Sequence, residues 1–271
     1  MKIAKQKRQR ALEEKRAARQ NKAQLQEQET HKYLITLAYD GSRYGGYARQ
    51  KHKNTVQNIL EAVLADYLQL EVKTTEASRT DSGVHALNQK TMFTIPVKIP
   101  IDKAKSQLNE RLPKDIIIKG LQEVEKDFHC RYQVKNKTYE YTIHKTLDPR
   151  AVDYAWHVGK GIDVKKMVEA SRCLVGTHDF TTFKSAKATT DTSVRTINFI
   201  EIREDQEKIT IQANADGFLY NMVRLIVKAL VDVGTGKQDT AFVKELLERK
   251  SKPDNLESAP AQGLCLMEIN Y

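Results

Sequence analysis

Nowhere in the 271 residues does an apolar run approach the roughly 18 residues that a membrane-spanning helix needs. The first stretch, MKIAKQKRQRALEEKRAARQ, also lacks the apolar core of a signal peptide. Glutamates at 13, 14, 27 and 29 argue against a mitochondrial presequence, so a cytoplasmic protein with no membrane partner is expected. Cysteine is scarce as well. Cys130, Cys173 and Cys265 are far apart and odd in number, and no Cys-x-x-Cys pair exists. That argues against a disulfide framework and against a zinc site. Each thiol reads instead as a small buried apolar group.

Acidic charge is in deficit. The chain carries a net +10, which suits a polyanionic partner, because Lys and Arg contacts to phosphate release counterions. The excess is uneven. Residues 1–32 hold ten Lys and Arg against four Glu, a net +6, and the remainder holds only +4. This extension reads either as an RNA-gripping arm or as a solvated helix rich in Ala, Gln, Lys and Glu.

Beyond the extension the length allows one large domain or two small ones. YLITLAYDGS (33–42) reads as a strand running into an Asp-Gly turn. In residues 54–70, Val56, Ile59, Leu60, Val63, Leu64, Tyr67 and Leu68 fall on one helical face, capped by Asn54 or Thr55. Strands over 72–78, 89–97 and 115–124 and a short helix near 101–111 complete a βαββαβ order. The second half repeats the theme with insertions. A strand spans 137–144, where Tyr139, Tyr141 and Ile143 alternate, and a helix spans 163–174 with Asp163 as cap. A hairpin over 194–217, helices near 218–233 and 239–250, and a closing strand over 263–271 follow. The mixture indicates an α+β protein with a largely antiparallel sheet and two similar halves around a cleft.

Two places ask for chemistry. TTEASRTDSGVHALNQ (74–89) packs Arg79, Asp81 and His85 into seven positions around Asp81-Ser82-Gly83. It reads as a solvated turn or as a catalytic loop. LYNMVRLIVKALVDVG (219–234) is apolar around most of its circumference, with Gly234 placed as a left-handed C-terminal cap. Asn221, Arg224 and Lys228 interrupt it along one stripe. A guanidinium beside a buried helix is costly unless it meets an anion. Either the stripe faces solvent or Arg224 reaches an acid elsewhere, with Asp81 a candidate.

These motifs together resemble the TruA family of tRNA pseudouridine synthases over residues 33–271. YDGSRYGGYARQ (39–50), SRTDSGVHALNQ (78–89), FHCRYQVKNKTYEY (128–141), DFTTFKSA (179–186), ANADGFLYNMVRLIVKALVDVG (213–234) and APAQGLCLMEINY (259–271) match its signatures in order. Ser78 stands where that family usually has Gly, Ser82 where it has Ala, and Tyr47 where it has Trp. Ser78 is tolerable only if its backbone does not need a positive φ.

The resemblance implies two ferredoxin-like (RRM-like) halves sharing a curved, mainly antiparallel sheet, with helices on one face and a central active-site cleft. The parts would be a basic helical or disordered extension (1–32), an N-terminal catalytic half (33–133) and a C-terminal half (134–271), in a homodimer. It implies isomerisation of uridine in the tRNA anticodon stem-loop, with no cofactor and no metal. The same chemistry on another tRNA region or on ribosomal RNA, and a non-catalytic RNA binder, are the alternatives. Asp81 would be the reactive carboxylate, and Arg224 its partner, holding its pKa down. Tyr139 would contact the target uracil and help remove the C5 proton. Arg79 would fill the gap left by the extruded uridine. His85 would contribute as a loop-stabilising hydrogen-bond partner at the substrate site, and Leu264 as part of the uracil pocket wall.

Overall fold

Alternating burial along the strands and capped amphipathic helices build the molecule. The computed structural model describes residues 30–185, 192–249, 251, 253 and 256–271. The expected extension over 1–32 therefore lies almost wholly outside the described residues. Strand β1 (His31–Tyr39) buries Tyr33, Ile35, Leu37 and Tyr39 at every second position. Helix α1 (Val56–Leu68) begins where the Thr55 hydroxyl accepts the Asn58 N–H at 3.3 Å, and it buries Val56, Leu60 and Leu64. Strands β2 (Thr75–Glu76) and β3 (His85–Ile95), helix α2 (Ile101–Arg111) and strand β4 (Ile116–Val124) complete the first half.

The second half runs β5 (Asn136–His144), β6 (Trp156–His157), α3 (Val164–Ser171), β7 (Gly176–Asp179), β8 (Val194–Glu204) and β9 (Lys208–Ala215). Helices α4 (Met222–Gly234) and α5 (Phe242–Glu248) and strand β10 (Leu264–Asn270) follow. The Asp163 carboxylate caps α3 by accepting the Lys166 N–H at 3.1 Å.

All ten described strands join one sheet. Its order is β4-β1-β3-β10-β5-β9-β8-β7, with β2 on β3 and β6 on β5. The protein is thus a mixed α/β fold with a large, mainly antiparallel sheet and, among the described residues, five α-helices. The strand order β4-β1-β3-β2 of the first half recurs as β10-β5-β9-β8 in the second. The halves meet where β3 and β10 run parallel, with Cys265 opposite His85 and Leu266 opposite Ala86. That parallel join matters for function. It brings the loop entering β3 and the segment entering β10 to the same end of the sheet.

Four expectations need correction. The strand over 72–78 shrinks to Thr75–Glu76. Ala77 still donates its N–H to Lys90 O, after which the chain leaves the sheet for the 78–84 loop. Strands β6 and β7 were not expected, because two residues and the polar Gly-Thr-His-Asp carry no alternation to read. The extension ends sooner than residue 32, since His31 and Lys32 already pair with β3. Gly234 is not the left-handed cap. It closes α4, followed by Thr235 in right-handed geometry, and the positive φ falls on Gly236. Packing explains Gly234: a Cβ there would lie 2.8 Å from Ile162 and Met167. The close approach lets α3 pack on α4, ten of whose thirteen residues are buried. Each fully buried large aliphatic side chain there contributes roughly 1.5–3 kcal/mol.

Candidate active site

The Asp81-Ser82-Gly83 turn is packed rather than free in solvent. Val84 N–H donates to Asp81 O at 3.1 Å, and Gly83 supplies a φ of +81° that other residues rarely adopt. The neighbouring 41–47 loop clamps it. Ser82 Oγ donates to Tyr44 O at 3.2 Å, Tyr47 N–H donates to Thr80 O at 3.1 Å, and the Tyr39 and Thr80 hydroxyls lie 2.7 Å apart. Gly46, with φ +97°, lets the two loops touch, because a Cβ there would sit 2.7 Å from Thr80 O. The YDGSRYGG stretch is therefore a cradle for the turn that carries Asp81.

Arg224 enters this loop from the first turn of α4. Its Nη1 lies 3.5 Å from Asp81 Oδ2, with the two side chains 15% and 20% exposed. Of the two readings of the 221–224–228 stripe, the buried pairing is the observed one for Arg224. The guanidinium is held more firmly by other groups. Nε donates to Ala259 O at 2.7 Å, and Nη1 donates to Asn221 Oδ1 at 3.0 Å. Ala259 N–H returns a bond to Arg224 O at 3.1 Å, which ties the approach to β10 onto α4. Asn221 holds its place in left-handed backbone, φ +64°. Lys228 does not join the group; it pairs with Asp232 within its own helix.

The electrostatics differ from the expected direction. Burial raises the Asp81 pKa above the ordinary carboxylate value and outweighs the Arg224 charge and hydrogen bond, which pull it down. At 3.5 Å Arg224 offsets only part of the desolvation. The result is a carboxylate more basic than usual and still reachable from solvent, which suits a nucleophile or proton acceptor.

Tyr139 lies on β5 beside β10, opposite Leu266. Its ring meets Phe218 edge-on at 5.3 Å, and its hydroxyl is 3.0 Å from Ser78 Oγ. Burial, reinforced by the Asp81 charge and opposed by the Ser78 bond, raises its pKa far above the usual phenol range. The shift favours the neutral phenol, whose hydroxyl can relay or donate a proton. Ser78 has no positive φ, so the replacement of Gly brings no backbone strain. Leu264, the first residue of β10, is buried opposite Tyr141.

Arg79 is the exposed member of the group. Its side chain is 68% exposed and its Nε donates to Glu76 Oε1 at 2.8 Å. His85 is buried, and both ring nitrogens are engaged by backbone. Nδ1 accepts the Gly41 N–H at 3.1 Å, and Nε2 lies 2.9 Å from Asp153 O and 3.1 Å from Gln262 O. Nδ1 also lies 3.2 Å from Asp40 Oδ1. His85 so ties the first loop, the 153 region and the approach to β10 together.

Sequence reasoning missed Glu76, Ser78 as a hydroxyl partner, Asn221 as a guanidinium acceptor, and Ala259. Only Glu76 left a signal: a lone acid three residues before Arg79, at helix-like ion-pair spacing but in a strand. Among the described residues no cluster of three or more His, Cys, Asp or Glu forms a metal-binding group, and all three cysteines are free. Burial, together with the Glu140 charge, pushes the Cys265 thiol up to about 12. No described helix is long and apolar enough to cross a membrane.

A family model described as tRNA pseudouridine synthase matches residues 35–133 and 170–271. The "tRNA pseudouridine synthase A 2" of Clostridium perfringens is 42% identical over 239 residues, covering 88% of this chain and 98% of that protein. Its namesake in Bacillus cereus strain ATCC 10987 is 40% identical, covering 89% of this chain and 100% of that protein. The "tRNA pseudouridine synthase A" of Acetivibrio thermocellus is 39% identical, over 88% of this chain and 98% of its own.

Proposed function

The chain belongs to the tRNA pseudouridine synthase family, and on that premise we propose that it isomerises uridine to pseudouridine in the tRNA anticodon stem-loop. The single observation that carries the reading is the meeting of Asp81 and Arg224, 143 positions apart in sequence, in one solvent-reachable site. The reaction breaks the bond from uracil N1 to C1′, turns the base, and forms a bond from C5 to C1′. The C5 proton leaves and N1 gains one, so nothing is oxidised or reduced. Asp81 supplies the carboxylate, as nucleophile or base, and its raised basicity supports either role. Arg224 aims it and offsets part of its desolvation. Tyr139 lies against the uracil, and its hydroxyl, oriented by Ser78, takes up the C5 proton as it hands its own to water. Leu264 walls the pocket, and His85 keeps the surrounding loops in register.

Arg79 is the residue that reaches toward the RNA. A uridine in a stem must leave the stack before Asp81 can touch it, at a cost of a few kcal/mol. An exposed guanidinium beside the site fills the gap it leaves. The repeated strand order supports reading the halves as ferredoxin-like, with residues 30–133 and 134–271 as the two units. A homodimer in the cytoplasm completes the proposal, and sedimentation of the purified protein tests the dimer. Activity is tested with tRNA tritiated at uridine C5. Tritium release, with pseudouridine mapped to the anticodon stem-loop, is the expected result. Release only from ribosomal RNA, or none from any RNA, would overturn it.

A further inference from the structure

Glu76 is the most deeply placed charge near the site that the proposed chemistry does not use. It ends β2, three residues before Arg79 and five before Asp81, and its side chain is 6% exposed. One carboxylate oxygen, Oε1, receives two guanidiniums: Arg79 Nε at 2.8 Å and Arg131 Nη2 at 2.5 Å. Arg131 grips the same residue a second time, its Nε donating to Glu76 O at 3.2 Å. Lys137 stands beside them, its Nζ donating to the next carbonyl, Ala77 O, at 2.8 Å. Burial, together with the charges of Arg131 and Arg195, brings Lys137 down to about 8.

Stability does not explain this arrangement. Taking a carboxylate out of water is expensive, and pairs with partly exposed arginines return little of the cost. Arg79 and Arg131 remain 68% and 36% exposed. What the carboxylate does accomplish is orientation. Among the described residues Arg79 uses only Nε in hydrogen bonding, which leaves both of its terminal nitrogens free. Among the described residues Arg131 likewise keeps Nη1 free. An unrestrained arginine must give up its rotamer freedom when it engages a ligand. One tethered through Nε has already lost much of it.

We propose that Glu76 is a positioning residue for RNA isomerisation: it presets Arg79, with Arg131 beside it, as a paired guanidinium contact for the RNA strand from which the uridine is extruded. The inference rests on the proposed function and adds the group that acts through Arg79. Removing the carboxylate has two opposite consequences. The site becomes more positive, so RNA binds at least as tightly and with a steeper salt dependence. The guanidinium is no longer aimed, so base extrusion slows.

The test is single-turnover tritium release under enzyme excess, with filter binding at several salt concentrations, for wild type, Glu76→Gln, Arg79→Ala and the double variant. Two substrates are compared: folded tRNA, and a short unstructured RNA whose uridines are unstacked. For Glu76→Gln on tRNA the expected result is a rate about tenfold or more lower, the scale of a misplaced contact, with RNA affinity equal or tighter. The loss should nearly vanish on the unstructured RNA, and in the double variant it should not add to that of Arg79→Ala. A merely structural role would slow both substrates alike. A wild-type rate in Glu76→Gln, equal losses on both RNAs, or additivity with Arg79→Ala overturns the proposal. Inactive wild type overturns the proposed function as well, so the two failures are distinct.

Discussion

Replacing Arg224 by lysine keeps the charge and removes the fork. The guanidinium reaches three acceptors at once: Ala259 O at 2.7 Å, Asn221 Oδ1 at 3.0 Å and Asp81 Oδ2 at 3.5 Å. An ammonium on a flexible stem holds one of these well. Two bonds are lost, each contributing about 1 kcal/mol net, so Arg224→Lys should lower folding stability by about 2 kcal/mol. Little of that comes from Asp81, whose contact is long and partly solvated. Arg224→Met removes the charge as well. Asp81 then loses both influences that oppose its burial, and its pKa, already raised, rises further. The acid limb of the turnover–pH profile should therefore move to higher pH in Arg224→Met and stay near wild type in Arg224→Lys. The sign for stability follows from the same shift. A carboxyl with a folded pKa above its unfolded value contributes stability that is fully present below the unfolded pKa and is lost as pH rises through the folded one. Arg224→Met should thus lose more stability than wild type on passing from acid to neutral pH. Urea denaturation and tritium release, both as functions of pH, measure these effects. Wild-type stability in Arg224→Lys, or an unmoved acid limb in Arg224→Met, would refute the reasoning.

Two further outcomes follow from other parts of the chain. Tyr47 is fully buried, and its hydroxyl has no hydrogen-bond partner among the described residues. Tyr47→Phe should therefore be neutral or stabilising by up to about 1 kcal/mol in thermal or urea unfolding, and a clear loss would show a bonded hydroxyl. Deleting residues 1–29, which carry nine Lys and Arg against four Glu, should weaken RNA binding and flatten its salt dependence. An unchanged salt slope would show that the extension does not contact RNA.

What the sequence made legible was whatever periodicity and local chemistry encode. The one-face spacing from Val56 to Leu68 gave α1, and the alternation of Tyr139, Tyr141 and Ile143 gave β5. Thr55 and Asp163 were readable as caps because their side chains act within three residues. The pairing of Arg224 with Asp81 was readable only as an argument about cost: a guanidinium on an otherwise apolar helix must find an anion. Its strength was not readable. Whether burial or a positive neighbour governs the Asp81 pKa depends on a distance, and 3.5 Å lets burial win. Gly234 was misread because a glycine at a helix end serves equally as a cap or as a point of close packing, and only the position of α3 distinguishes them. The tie of Glu76 to Arg131 and that of Ser78 to Tyr139 stayed silent because those partners come from distant segments that the sheet brings alongside.

Asp81→Asn tests the central claim most directly. The substitution removes the reactive group while keeping shape, and it relieves the burial of a charge, so the fold should be at least as stable as wild type at neutral pH. The account predicts no tritium release from C5-labelled tRNA, with RNA affinity kept within severalfold. Turnover persisting in a folded, RNA-binding Asp81→Asn protein would contradict it.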